Sequence, residues 1–106
     1  MGVMVISVYR PKPGKDAALL EALKTHLPIL QGEGLATDRP SQLMRAEDGT
    51  MIEVFEWVSQ EAIDSAHEND TVKAMWADFE AACEYGNLAS LPEAQGPFAS
   101  FEPVNL

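Results

Sequence analysis

The first third of the chain carries two apolar patterns, one typical of a strand and one of a helix. The segment VMVISVYR, Val3–Arg10, is apolar on both alternating faces and rich in β-branched and aromatic residues, which predicts a strand covered on both sides. After the turn PKPG, leucines recur at steps of three and four from Leu19 to Leu30. This spacing predicts a helix that begins near Lys15 and buries one stripe. Pro28 predicts that the helix ends or kinks at residues 24–27.

The middle of the chain predicts a β-hairpin. Residues 42–46 and 51–58 are two mostly apolar stretches, and the turn EDGT lies between them. Because Asp-Gly accommodates the positive φ angles of tight hairpin turns, Asp48-Gly49 is a strong signal for this connection. The second and third strands are therefore expected to be antiparallel neighbours.

The sequence of the last third of the chain predicts a helix in two pieces, followed by a last strand. Ser59 suits an N-cap before a short helical piece over 62–67, and Asn69 or Asp70 suits the N-cap of a second piece. The second piece carries an apolar stripe at helical spacing and is expected to end at Gly86. This stripe consists of Val72, Met75, Trp76, Phe79, Ala82 and Cys83. Residues 97–104, PFASFEPV, are expected to form an edge strand or a frayed one, because prolines flank them.

The order strand, helix, strand, strand, helix, strand predicts an α+β, ferredoxin-like domain spanning residues 1–106. Two helices would cover one face of a four-stranded antiparallel sheet, and the chain's own residues would leave the other face uncovered. Because the first and third strands are apolar on both sides, we expect a second copy to cover that face. The expected assembly is a two-fold homodimer, packed sheet against sheet.

Composition narrows the classes of partner. The chain has 7 basic and 17 acidic residues and a formal net charge of −10, which argues against nucleic acid and against an anionic membrane surface. No apolar run is long enough to span a membrane, and the N-terminus reads as a strand rather than a signal peptide, so a cytoplasmic location is expected. Cys83 is the single cysteine and is expected to be a buried helical residue. No metal-ligand spacing, phosphate loop or dinucleotide fingerprint occurs, so no metal and no cofactor are expected.

Three segments carry a family resemblance that extends from about Val3 to Val104. YRPKPGKDAALLEAL, DGTMIEVFEWVSQEAIDSAHEND and PFASFEPV resemble the antibiotic biosynthesis monooxygenase domain family of the dimeric α/β-barrel superfamily. The resemblance implies face-to-face homodimers with a pocket between each sheet and its helices. Some members of the family oxidise polycyclic aromatic compounds with O₂ and without metal or flavin, others degrade haem, and others isomerise lactones.

The chain departs from the haem-degrading members. Their Asn on the first strand and their Trp and His on the second helix align near Ser7, His67 and Ala77, and none of the three matches. Haem degradation is therefore not expected. Two functions lead, and other chemistry of the barrel superfamily, such as isomerisation, stays open beside them. One is a cofactor-independent, monooxygenase-like enzyme acting on a flat, apolar, oxygenated small molecule. The other is a non-catalytic homodimeric module that binds a ligand or a partner.

His67 is the candidate catalytic residue, because an imidazole can act as acid or base near neutral pH. The alternative is that His67 packs at the helix bend and bonds a backbone carbonyl. Trp76 and Phe79 either line a pocket for a flat ligand or belong to the core. Ser7 and Tyr9 share the strand face that the resemblance directs into the pocket, where they could orient a ligand.

His26 and two glutamates complete the candidates. His26 lies near the end of the first helix, where it either contacts the ligand or is favoured by the helix dipole. Glu53 and Glu56 lie on opposite faces of the third strand, so one of them is expected to point inward. A buried carboxylate needs a partner, and Arg45 on the neighbouring strand is the expected one, either within the chain or across the dimer. The alternative is a general base with a raised pKa.

Overall fold

The computed structural model describes residues 2–106 as one sheet with helices packed on it. The predicted domain 1–106 is described except for Met1. The strands are β1 Val3–Pro11, β2 Gln42–Arg45, β3 Met51–Trp57, β4 Cys83–Tyr85 and β5 Glu102–Pro103. The α-helices are α1 Asp16–Gly32, α2 Gln60–Ala66 and α3 Asp70–Ala82. Single turns of 3₁₀ helix follow at Leu88–Ser90 and Pro92–Ala94.

Within residues 2–106, all strand pairs are antiparallel and the strand order is β4-β1-β3-β2-β5. The α+β class is thus confirmed, but the described sheet has five strands where four were predicted. The strand predicted over 97–104 is reduced to Glu102–Pro103, which pairs with β2. Pro97 and Pro103 lack the N–H groups that a longer ladder would need, which explains the short pairing.

The chain forms β4 where the sequence predicted the end of a helix. Helix α3 ends at Ala82, and Cys83–Tyr85 then pairs with Tyr9–Pro11 of β1. The prediction that this helix runs to Gly86 was wrong, and so was the placement of Cys83 on a helix, although Cys83 is buried. Burial raises the pKa of the Cys83 thiol. The backbone needs hydrogen-bond partners at this sheet edge, and β1 supplies them.

Helix α1 runs through Pro28, so the helix does not end at residues 24–27, which was one of the two outcomes that the proline predicted. Proline at this position removes one backbone hydrogen bond to residue 24. The apolar stripe of α1 offsets that loss, because Leu23, Leu27 and Leu30 on both sides of Pro28 are buried in the core. The proline itself lies on the exposed side of the helix.

The predicted hairpin and both predicted caps are confirmed. Gly49 takes a φ of +94°, and Asp48 Oδ1 accepts a hydrogen bond of 2.9 Å from the Thr50 N–H. Ser59 Oγ accepts from the Ala62 N–H at the start of α2, and Asn69 Oδ1 accepts from the Val72 N–H at the start of α3. These caps set the bend between α2 and α3 on which His67 lies.

The two faces of the sheet are covered differently. Odd-numbered residues of β1 and β3 face the helices, where Tyr9, Phe55 and Trp57 join the main core. On the other face Val8 and Ile52 are covered by Leu91 of the C-terminal segment. The prediction that the chain leaves this whole face uncovered was therefore wrong.

The C-terminal segment covers only part of this face. Met4 stays 51% exposed and Ile6 stays 53% exposed. In the part of the chain that the structure describes, no helix has both the length and the apolar character needed to cross a membrane.

Candidate functional site

A cavity of about 550 Å³ lies between the helix-side face of β1 and β3 and the helices α2 and α3. Strand β4 pairs only with Tyr9–Pro11, which leaves the earlier part of β1 as an open edge beside the cavity. The aromatic and aliphatic walls are suited to a flat apolar molecule. The wall residues of this kind include Val5, Phe55, Trp57, Ile63, Trp76 and Tyr85.

The polar end of the cavity is built around one buried carboxylate. Glu53 is 1% exposed, and its Oε1 accepts a hydrogen bond of 2.8 Å from the hydroxyl of Tyr9. The same oxygen lies 2.8 Å from Nδ1 of His26. Tyr9 and His26 are each 4% exposed, so the three polar groups satisfy one another inside the core.

This arrangement assigns the protons. Burial, and then the neighbouring Glu53 charge, raise the pKa of Tyr9 far above its ordinary value, so the hydroxyl stays protonated and donates. An ionised carboxylate only accepts hydrogen bonds, so with Glu53 as the carboxylate Nδ1 of His26 is the donor in the second bond. A neutral His26 then carries its free lone pair on Nε2.

His67 lies at the mouth of the cavity. It is exposed, follows the last residue of α2 and packs its ring against Trp76 with centroids 5.2 Å apart. Within residues 2–106 its side chain makes no hydrogen bond, so the alternative of a side-chain bond to a backbone carbonyl does not describe it. The ring borders the cavity that also contains Tyr9.

The structure brings most of the sequence-predicted site residues together. The residues that line this one cavity are Ser7, Tyr9, His26, His67 and Trp76. Phe79 does not line it. Phe79 instead lies behind the polar end, where its ring centroid is 5.1 Å from that of Tyr9 and 5.0 Å from that of His26.

The partner predicted for the inward glutamate was wrong. Glu53 points inward as expected, but its partners are Tyr9 and His26, while Arg45 approaches Glu102 at 3.8 Å. Glu56 lies on the opposite face, where Thr37 and then Arg39 lower its pKa. Arg45 is on the helix side of β2, but it pairs in register with Met51, two residues before Glu53 on β3.

Sequence reasoning missed other wall residues. Phe55 and Trp57 share the helix-side face of β3 with Glu53, so strand alternation could have found them. Glu80 follows Trp76 by four residues and so lies on the same face of the helix, which could have predicted its place in the cavity wall. Tyr85 had no such signal, because its strand was not predicted.

The donor set does not suggest a metal centre. Within residues 2–106, no group of three or more His, Cys, Asp and Glu side chains is placed to hold a metal ion. The cavity offers imidazole, hydroxyl and carboxylate groups for hydrogen bonding and proton transfer.

Comparisons with known proteins show a shared fold. No family model matches the chain, and no curated protein matches it in sequence. The crystal structure of protein SO0527 from Shewanella oneidensis is similar, with a TM-score of 0.61, 20% identity, and coverage of 78% of this chain and 82% of that one. NE2512, a protein of unknown function from Nitrosomonas europaea, gives a TM-score of 0.57 at 17% identity, with coverage of 76% and 77%. The chain therefore shares its α+β fold with these bacterial proteins.

Proposed function

We propose that the chain is a small enzyme that binds a flat, apolar, oxygenated molecule in the central cavity. The observation that carries this proposal is the cavity itself, in which apolar aromatic walls lead to a buried cluster of Tyr9, Glu53 and His26. Pockets that combine apolar walls with a few convergent polar groups are the usual form of small-molecule sites. The resemblance to the antibiotic biosynthesis monooxygenase domains indicates the reaction class, a cofactor-independent oxygenation.

The protein's task in such a reaction is proton removal. A base takes a proton from an activated C–H group, and the electron pair stays on the substrate carbon. That carbanion gives two electrons to O₂ and forms a peroxide, which loses water to leave a carbonyl. One methylene group and one O₂ thus become one carbonyl and one water.

The residues around the cavity have distinct proposed roles. His67 acts as acid or base at the mouth, where it can exchange a proton with solvent. Tyr9 and Ser7 orient oxygen atoms of the ligand from the strand side. Trp76 offers a flat wall for an aromatic ring.

The assembly we propose is a ferredoxin-like subunit that forms a homodimer through its sheet faces. The order β4-β1-β3-β2 supports the subunit topology, with β5 as an added edge strand. Met4 and Ile6, which are exposed on the face away from the helices, support the dimer. Ile6 also borders the cavity, so a second copy would lie beside the mouth.

A non-catalytic binding module is the second candidate. It is favoured by one observation: within residues 2–106, His67 has no carboxylate or carbonyl partner to fix its tautomer. Catalytic imidazoles usually have such a partner.

Native mass spectrometry of the purified protein, followed by an oxygen-electrode assay, tests the proposal. We expect a dimer that carries a small molecule, and O₂ uptake when the extracted molecule is returned to the protein. His67→Asn should slow that uptake while circular dichroism stays unchanged. Ligand binding without O₂ uptake would favour the binding module, and a chain that binds nothing would overturn both.

A further inference from the structure

We propose that His26 is the base of this site, with Nε2 as the proton-accepting atom and Glu53 as its positioning residue. The inference rests on the proposed function and deepens it, because it assigns the proton of the bound molecule to a base inside the cavity and leaves His67 to exchange protons with solvent at the mouth. The ground for it is the geometry of the buried cluster.

The His26 ring is held from three directions. Its Nδ1 is 2.8 Å from Glu53 Oε1. Phe55 and Phe79 contact it edge-on, with centroids 5.1 Å and 5.0 Å away at interplanar angles of 76° and 65°. A carboxylate on one ring nitrogen sets the tautomer and leaves the other nitrogen to accept a proton.

The free nitrogen reaches the cavity. His26 is one of the cavity-lining residues, and Nε2 makes no hydrogen bond within residues 2–106. Among the described residues, Thr50 Oγ1 is the fully buried side-chain polar atom that lacks a hydrogen-bond partner. Nε2 of His26 also lacks a partner but is not fully buried, so it is not enclosed in the core. Its lone pair is therefore available to a molecule in the cavity.

The Glu53 carboxylate lies beside the imidazolium that a proton transfer to this nitrogen would form. When an O–H or C–H bond of the bound molecule breaks, the proton forms an N–H bond at Nε2 and the electron pair stays on the molecule. The resulting imidazolium is charge-paired with Glu53 at 2.8 Å in a buried site, where such attraction is strong. Tyr9 holds the carboxylate in place through the second bond to Oε1.

The remaining titratable groups around the cavity are farther from the carboxylate. They are His67, Glu80 and Tyr85. His67 is exposed and pairs with Trp76 rather than with an acid. Among the described residues, His67 therefore lacks the carboxylate partner that His26 has.

The test uses 7-hydroxycoumarin, a flat phenol whose protonated and ionised forms absorb at different wavelengths. Binding is followed by fluorescence polarisation, and the ionisation of the bound probe by its absorption spectrum, at a pH where the free probe is mostly phenol. The wild type should bind the probe as phenolate, since its proton moves to His26.

Three variants locate the base. In His26→Asn the amide nitrogen stands in for Nδ1 and keeps the bond to Glu53, but Nε2 is removed. We expect His26→Asn to bind the probe and to lower the ratio of bound phenolate to phenol by at least about tenfold, because the variant has no nitrogen in place of Nε2 to accept the proton. Glu53→Gln should lower the ratio in the same direction. His67→Asn is compared under the same conditions.

Each outcome decides one question. Loss of phenolate in His26→Asn with retained binding supports the inference. Equal phenolate in the wild type and His26→Asn, or loss confined to His67→Asn, overturns it and leaves the pocket proposal standing. Absence of any probe binding by the wild type overturns the proposed site for flat phenols.

If His26→Asn does not fold, ¹⁵N NMR of the wild-type imidazoles decides. A downfield Nδ1–H on His26 that disappears in Glu53→Gln supports the positioning role. A proton found on Nε2 in the neutral protein overturns the inference.

Discussion

At the residue scale, Glu53 shows how a carboxylate can be stable in an apolar core. Burying a charge without partners is strongly unfavourable, and Glu53 is 1% exposed. The hydroxyl of Tyr9 and Nδ1 of His26 both bond to its Oε1, and the two rings bring apolar surface with them. The same contacts stabilise the fold and prepare the proposed base.

Removing the Tyr9 hydroxyl measures one of these bonds. We expect Tyr9→Phe to lower the free energy of unfolding by about 1–3 kcal/mol, because the ring is kept while a buried acceptor loses its donor. Tyr85→Phe is the matched control, since Tyr85 is 58% exposed, and should change stability by less than about 0.5 kcal/mol. Urea unfolding of the three proteins checks the difference. Equal stability of all three would show that Tyr9 does not support Glu53.

The decrease in the free energy of unfolding at alkaline pH should depend on the same hydroxyl. Burial, and then Glu53, raise the pKa of Tyr9 in the folded protein, while the unfolded chain loses that proton near pH 10. Above that pH the unfolded state binds fewer protons than the folded state, so Tyr9 makes stability fall by up to about 1.4 kcal/mol per pH unit. Tyr9→Phe should show a shallower fall in urea unfolding between pH 9 and 11. Parallel curves would contradict the assignment.

Alternation along β3 was enough to predict that one glutamate points inward, but not what it meets. The partners lie 44 and 27 positions away in the chain. Tyr9 meets Glu53 through the register of β1 on β3, and His26 meets it through the packing of α1 on the sheet. Arg45 looked suitable because it is near in sequence and oppositely charged. The packed structure instead pairs it with Glu102 near the sheet edge.

At the element scale, local signals determine the ends of the helices and packing determines their interiors. Ser59 and Asn69 were recognisable as caps because their side chains bond N–H groups three residues ahead. Helix α1 does not end before Pro28, and Cys83 lies on a strand rather than a helix, because tertiary contacts decide both positions. Buried leucines carry α1 through the proline, and the free edge of β1 draws Cys83–Tyr85 into the sheet.

The cap at Ser59 can be tested against a neighbouring serine. Ser59→Ala removes the acceptor for the Ala62 N–H and should lower the free energy of unfolding by about 1 kcal/mol. Ser65→Ala is the same substitution in the same helix, at an exposed site whose hydroxyl bonds a helix carbonyl, and should cost less than about 0.5 kcal/mol. Thermal and urea unfolding compare them. A larger loss for Ser65→Ala would refute the cap assignment.

Replacing Pro28 should raise the free energy of unfolding rather than lower it. Pro28→Ala restores a helical N–H at an exposed position and loses no buried contact, so it should stabilise the protein by about 1–3 kcal/mol. Glu21→Ala, also exposed on α1, serves as the control and should stay within about 0.5 kcal/mol of the wild type. The midpoint of urea unfolding reports both. Destabilisation by Pro28→Ala would mean that α1 needs the proline.

At the scale of the whole molecule, the two faces of the sheet have different partners. The helices cover most of one face and leave the cavity on it, whereas the C-terminal segment covers only part of the other face, around Val8 and Ile52. The sequence predicted the apolar character of both faces from the composition of β1 and β3. It did not predict the partial cover, because residues 87–101 have no periodic pattern that would show where they lie.

The remaining apolar surface is where we propose that a second copy binds. Ile6 is 53% exposed and pairs across the strands with Val54, and Met4 continues the patch. Burying an isoleucine contributes about 1.5–3 kcal/mol, and a glutamate in its place would add the cost of a buried charge. Ile6→Glu should therefore weaken dimerisation by at least about 100-fold in Kd.

Sedimentation velocity over a concentration series measures that dissociation constant. Ala18→Glu is the matched control, because it adds the same charge at an exposed site on α1, away from the sheet. We expect Ala18→Glu to remain dimeric at concentrations where Ile6→Glu is monomeric with unchanged circular dichroism. A wild-type monomer at every concentration would refute the sheet-to-sheet dimer. A dimer that Ile6→Glu leaves intact would move the interface to another surface, and the cavity mouth beside Ile6 would then open to solvent in the assembly.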